Sequence, residues 1–250
     1  MIDWPDSSGP LPSLQGCIHV WAVALDHARF DLRSWLPRLS PQEQARALRF
    51  KFAADRRRYI IAHVAVRDIL AGYLNVAAGD VRFVEGANGK PRLGTRLAGS
   101  GIEFNLSHSH ERALFAATQE LAVGIDLEFV KSEFGFHEVA ERFFARDEVA
   151  ALRALPMALQ RQAFYKCWTS KEAFLKAKGT GLSGALDEVE IGLSSGNRVS
   201  ISASVSGWRL TELELGAGYE GALVVEREKA TSIHPLQWQP ASDIDAETSA

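Results

Sequence analysis

The sequence predicts an α+β fold of two similar lobes related by a pseudo-twofold axis, with an active site in the cleft between them. Three observations carry this. Short apolar segments with strand character alternate with two long helical stretches. A shift of 105 positions sets Val20–Val23 on Ile125–Glu128, Ser40–Glu43 on Ala145–Glu148 and Ile60–Leu70 on Tyr165–Leu175, without a gap. Acids stand in one half where the other half carries Trp21, Val23 and Arg67.

The elements follow in order. Residues 1–16 are rich in Pro, Ser and Gly and read as a flexible lead-in. Cys17 to Leu25 is apolar and reads as a buried strand. Ser40-Pro41-Gln42-Glu43 is a helix start: a capping serine, a proline suited to the first helical position and a capping-box glutamate. One long helical stretch then runs to about Leu74, basic at first and apolar later. Asn88-Gly89-Lys90-Pro91 is a turn. Residues 102–107 and 112–118 read as strands around a His108–His110 loop, and Val123–Phe129 as another strand. Helix returns over Glu138–Phe144 and Gln160–Lys178, with Gly179 placed to end it. Four strand-like segments occupy 187–227. The predicted lobes span 17–119 and 120–229, and residues 230–250 read as a disordered tail.

Composition narrows the function. The chain has 250 residues, 46% hydrophobic and 24% charged, enough for a sizeable core. Its net charge of −3 argues against a general nucleic-acid binder, so any anion site must be local. Cys17 and Cys167 belong to no ligand pattern and read as reduced thiols. With no signal peptide and no apolar run of membrane-spanning length, a cytoplasmic protein off the membrane is expected.

Asp126 and Glu128, two apart on a strand, share a face. Adjacent carboxylates repel unless a cation lies between them, and magnesium commonly binds through few carboxylates plus phosphate and water. On the helix Gln160–Lys178, Phe164, Cys167, Trp168, Phe174 and Leu175 form one apolar arc. Lys171 falls inside it, Glu172 on its edge, and Lys176 one turn beyond Glu172. Read alone, Glu172 and Lys176 make an ordinary surface pair; a lysine inside the apolar arc calls for more.

The segments Val123-Gly124-Ile125-Asp126-Leu127-Glu128 and Trp168-Thr169-Ser170-Lys171-Glu172-Ala173-Phe174-Leu175-Lys176 resemble the (V/I)G(I/V)D-x-E and W-x-x-K-E-A-x-x-K motifs of 4'-phosphopantetheinyl transferases. Asn88–Pro91 and Phe104–Ser109 are similar to two further elements of that family. The tryptophan and alanine place the chain nearer the surfactin-synthetase-activating (Sfp) type than the enterobactin type.

The resemblance implies transfer of the phosphopantetheine arm of coenzyme A to a serine of an acyl or peptidyl carrier protein, releasing 3',5'-ADP. It implies that Asp126, Glu128 and Glu172 hold Mg2+, with Mn2+ as a substitute. Lys176 would neutralise the pyrophosphate, Ser107 and His108 would meet coenzyme A phosphates, and Lys90, Arg58 and Arg46 would hold the adenosine end. Glu148 and Glu172 are alternative bases for the serine proton. A cleft completed within one chain implies a monomer. Two rival readings are a magnesium-dependent phosphoesterase and an inactive carrier-binding scaffold.

Overall fold

The computed structural model describes residues 4–6, 11–26, 32–181, 191–195, 199–203, 206–226 and 232–240. The strands are β1 (Cys17–Ala24), β2 (Phe83–Glu85), β3 (Pro91–Leu93), β4 (Ile102–Ser109), β5 (Arg112–Gln119), β6 (Val123–Phe129), β7 (Ile191–Ser195), β8 (Val199–Ala203), β9 (Trp208–Leu213), β10 (Tyr219–Glu226) and β11 (Ser232–Gln237). The helices are α1 (Leu32–Trp35), α2 (Pro41–Leu48), α3 (Ala53–Leu74), α4 (Thr95–Ala98), α5 (Phe136–Phe143), α6 (Arg146–Ala154) and α7 (Met157–Lys178). The fold is mixed α+β, as the sequence predicts.

Two sheets dominate. One has the order β11-β1-β5-β4 and the other β6-β10-β9. Alternation along the strands sorts side chains between layers. Trp21, Val23, Ala113 and Phe115 face α3 and its buried Ile60, Ile61, Val64 and Leu70. Ile18, Val20, Leu114 and Ala116 face the second sheet, meeting Val123, Ile125, Leu127 and Leu223. On that sheet's far side, Ala222 and Val224 pack under α7 with Phe164, Cys167, Ala173 and Phe174.

The sheets also meet along β4 and β6, which are edge strands. Side chains do the joining: Ile125 N donates to Asn105 Oδ1 at 2.8 Å, Leu127 N to Ser107 Oγ at 3.3 Å and Phe129 N to Ser109 Oγ at 3.0 Å. The period of two along β4 matches the period of two along β6. Edge N–H groups that would otherwise be buried without partners are thereby satisfied.

The structure departs from the sequence expectations in four places. The stretch from Ser40 to Leu74 is two helices, because Phe52 is extended (φ −100°, ψ 136°) and starts α3. Phe50 in the break packs on Tyr59, with centroids 5.2 Å apart. The expected His108–His110 loop is largely strand: β4 continues through Ser109, and the turn lies at His110 (φ 54°). Residues 232–237, read as disordered tail, form β11 and pair in parallel with β1 from Cys17↔Ser232 to Ala22↔Gln237. Trp238 beyond it is buried against Trp35, with centroids 5.9 Å apart. Pro235 lacks a donor but sits on an edge strand, where that costs little. The lead-in is also engaged at Asp6, which bridges Gln237. Residues 187–190, 196–198, 204–205 and 227 of the strand expectations, 230–231 and 241–250 of the tail, and 1–3 and 7–10 of the lead-in lie outside the described residues.

Candidate active site

β6 and α7 approach as closely as the backbone permits. A Cβ built on Gly124 would lie 2.0 Å from Ala173 O and 2.4 Å from Ala177 N. Only glycine fits that contact. With Gly124 against α7, Asp126 and Glu128 on the same face of β6 are brought beside Glu172 and Lys176.

The result is a cavity of about 470 Å³ lined by Leu106, Ser107, His108, Asp126, Glu128, Phe143, Trp168, Glu172 and Lys176. Lys176 Nζ is 2.6 Å from Asp126 Oδ1, 3.1 Å from Ser107 Oγ and 3.3 Å from Ile125 O. Lys176 thus pairs across to β6, not along its own helix with Glu172. Ser107 Oγ donates to Asp126 Oδ1 at 2.8 Å, and Ser109 Oγ donates to Glu128 Oε2 at 2.7 Å. Ser107 therefore serves both the sheet seam and the cavity.

Too little positive charge is present for three acids. Burial pushes the Glu172 carboxyl up to about 7; Asp126 adds to this, Lys176 opposes it and Glu128 adds a smaller push. Burial also raises Glu128, with the Ser109 hydroxyl opposing and Asp126 adding to the rise. His108 is lowered by burial, then by Lys176 and Arg46.

These carboxylates fit a hard divalent ion. Asp126 Oδ2 and Glu172 Oε1 are buried and have no hydrogen-bond partner. Oxygen-only donors suit magnesium or manganese. Among the described residues no three His, Cys, Asp or Glu side chains form a ready cage. An ion there would complete its shell with phosphate oxygens and water.

Leu106 also lines an adjoining cavity of about 350 Å³, whose walls include Arg46, Tyr59, His63, Phe83 and Phe104. Of the residues expected at the adenosine end, Arg46 lines it, with its guanidinium over the Tyr59 ring at 5.7 Å. Gly89 and Pro91 line it while Lys90 between them does not; Lys90 Nζ donates to Val123 O at 3.0 Å. Arg58 lines neither cavity: its guanidinium lies 3.8 to 4.0 Å from Asp26, Asp55 and Glu111.

Glu148 requires a correction. It is 3% exposed, and Oε1 lies 2.8 Å from Lys171 Nζ. Oε1 also accepts from Ile191 N and Oε2 from Ala145 N, both at 2.7 Å. Both oxygens are committed away from the cavity, so Glu148 is a structural residue and no proton acceptor. The same pair explains how Lys171 sits wholly buried in the apolar arc. Sequence reasoning did not single out Phe143, whose apolar character gave no signal, Leu106, which it read only as part of the Phe104–Ser109 segment, or His63, which lies outside every motif.

Comparison with known proteins identifies the family. Residues 122–224 match the family described as the 4'-phosphopantetheinyl transferase superfamily, and residues 27–120 match that described as 4'-phosphopantetheinyl transferase, N-terminal. The 4'-phosphopantetheinyl transferase HetI of Nostoc sp. is 39% identical over 84% of this chain and 88% of its own length. The 4'-phosphopantetheinyl transferase Sfp of Bacillus subtilis is 32% identical over 74% of this chain and 81% of its own. The human L-aminoadipate-semialdehyde dehydrogenase-phosphopantetheinyl transferase is 30% identical over 74% of this chain and 62% of its own. The chain belongs to the 4'-phosphopantetheinyl transferases, of the type that includes Sfp.

Proposed function

We propose that this enzyme moves the 4'-phosphopantetheine arm of coenzyme A onto a serine of an apo acyl or peptidyl carrier protein. The observation that carries this is the convergence of Asp126, Glu128 and Glu172 around Lys176 in one cavity. The carrier serine Oγ bonds to the phosphorus bearing pantetheine, and the bond from that phosphorus to the bridging oxygen breaks. The electron pair leaves with 3',5'-ADP. Phosphoryl transfer needs mainly positioning and charge neutralisation. Magnesium held by Asp126, Glu128 and Glu172 supplies part of that neutralisation when bound. Lys176 offsets charge developing on the 5'-phosphate of the leaving 3',5'-ADP. With Glu148 committed elsewhere, Glu172 is the acceptor for the serine proton, directly or through a water, from a carboxylate oxygen the metal leaves free.

Coenzyme A then spans both cavities. Its diphosphate lies among the acids, Ser107 and His108 meet phosphates, and the nucleotide end passes Leu106 towards Arg46, Gly89 and Pro91. Lys90 borders that end from the turn. The cleft is read as the boundary of two similar lobes, 17–119 joined by β11, and 120–229. In support, the 105-residue shift carries Pro41–Leu48 onto Arg146–Arg153 of α6 and Ala53–Leu74 onto 158–179, nearly the whole of α7. A monomer acting in the cytoplasm fits a cleft built from one chain.

The test is mass spectrometry of apo carrier proteins incubated with the protein, coenzyme A and magnesium. A gain of one phosphopantetheine is expected, lost with a chelator and with Asp126→Ala. A gain undiminished in Asp126→Ala would remove the metal assignment.

A further inference from the structure

The cavity beyond Leu106 contains a histidine that no motif accounts for. His63 lies on α3 one turn after Tyr59, and their rings stack with centroids 3.8 Å apart. Its Nδ1 is 2.8 Å from Tyr59 O. A carbonyl only accepts, so Nδ1 carries hydrogen in either charge state, and Nε2 is the atom that titrates.

The groups facing His63 come from three elements: Glu43 and Arg46 from α2, Tyr59 from its own helix, and His108 from β4. Burial holds the ring below the usual histidine range; the Tyr59 carbonyl and Glu43 oppose this, while His108 and Arg46 add to it. Glu43 is already bound to the buried Arg67 guanidinium at 2.7 Å, which weakens its hold on a proton at His63. Arg67 is further spent on Ala78 O and Val81 O. Arg46, His63 and His108 therefore converge beside Leu106 with one fixed positive charge among them. An incoming dianion would supply what makes a second charge favourable.

We propose that His63 is a specificity residue for the 3'-phosphate of coenzyme A, neutral before substrate enters and taking a proton from solvent at Nε2 as the phosphate dianion arrives. It then becomes a charged donor to that phosphate. This rests on the transferase reading above. A ligand lacking the 3'-phosphate gains nothing from the proton, so the residue discriminates between the two.

The experiment is titration calorimetry of the full chain at about pH 7.5 with coenzyme A and with 3'-dephospho-coenzyme A, in two buffers of different ionisation enthalpy. The wild type should take up more proton with coenzyme A than with the dephospho form. His63→Gln keeps an amide donor for Tyr59 O; it should reduce that excess and lower the preference for coenzyme A about tenfold or more. KM for coenzyme A should rise while kcat stays within about twofold. Equal proton uptake for the two ligands by the wild type, or a full preference retained in His63→Gln, overturns the proposal. If the wild type transfers no arm to apo carriers, the transferase reading falls with it. Transfer intact, with His63→Gln indistinguishable from wild type, removes the role of His63 alone.

Discussion

At the scale of single residues, the two glutamates of the second half divide the work. Glu172 has an orphaned oxygen facing other acids, whereas both oxygens of Glu148 are taken. The first half repeats the Glu148 device: Glu43 stands at the third position of α2, accepts from Ser40 N at 2.7 Å and pairs with buried Arg67. A cap that also holds a buried cation is a way to pin a short helix to a long one. Removing one partner leaves an uncompensated buried charge. Glu148→Gln should therefore cost about 3–5 kcal/mol in urea denaturation, with kcat per folded molecule almost unchanged. A stable variant with kcat reduced a hundredfold would restore a catalytic role. Sequence could not separate the two glutamates, because a capping-box position reads alike whether its carboxylate turns to a cleft or to a lysine brought near by tertiary packing.

At the scale of elements, the decisive contact is β6 on α7. The alternation in β6 and the apolar arc of α7 made both elements legible, and with them the three acids. What the pattern also encodes is Gly124, whose lack of a side chain lets α7 sit against the strand. Gly124→Ala sets a methyl against the Ala173 carbonyl, so α7 must retreat and carry Lys176 and Glu172 away from Asp126. Overpacking of this kind costs about 1–3 kcal/mol, and misplacing the groups by about 1 Å should lower transfer about a hundredfold. Thermal melting and kcat on one preparation would check both. Full activity in Gly124→Ala would mean that the close approach is not needed. The break between α2 and α3 was hidden for a different reason. No Gly or Pro marks it, and it is fixed by Phe50 packing on Tyr59.

At the scale of the whole molecule, the seam between β1 and β11 is where the sequence was least informative. Ser232–Gln237 is short, holds a proline and shows no apolar face, so only a partner strand makes it a strand. Behind that seam His19 is fully buried. Trp21 Nε1 donates to Tyr73 Oη at 2.9 Å, which leaves the phenol hydrogen for His19 Nδ1 at 2.6 Å. Burial, helped by His234, lowers His19 to about 4. The unfolded chain binds the proton from about pH 6.5 downward, the folded one only near 4. This contribution is therefore complete above about pH 6.5 and drains away as the pH falls to about 4, about 3 kcal/mol in all. Urea midpoints measured across that interval should fall with acidity, and His19→Gln should flatten the slope. An equally steep slope in the variant would place the acid sensitivity elsewhere.

The parallel pairing of β11 with β1 also bears on how the protein comes into being. During synthesis β1 emerges early, but its outer neighbour is translated only after β1 to β10. Until then β1 offers a bare edge to any chain nearby. Closing a loop of this length is slow relative to forming hairpins and helices. A nascent chain should thus reach protease resistance in its first sheet abruptly and late, when Trp238 clears the ribosome and finds Trp35.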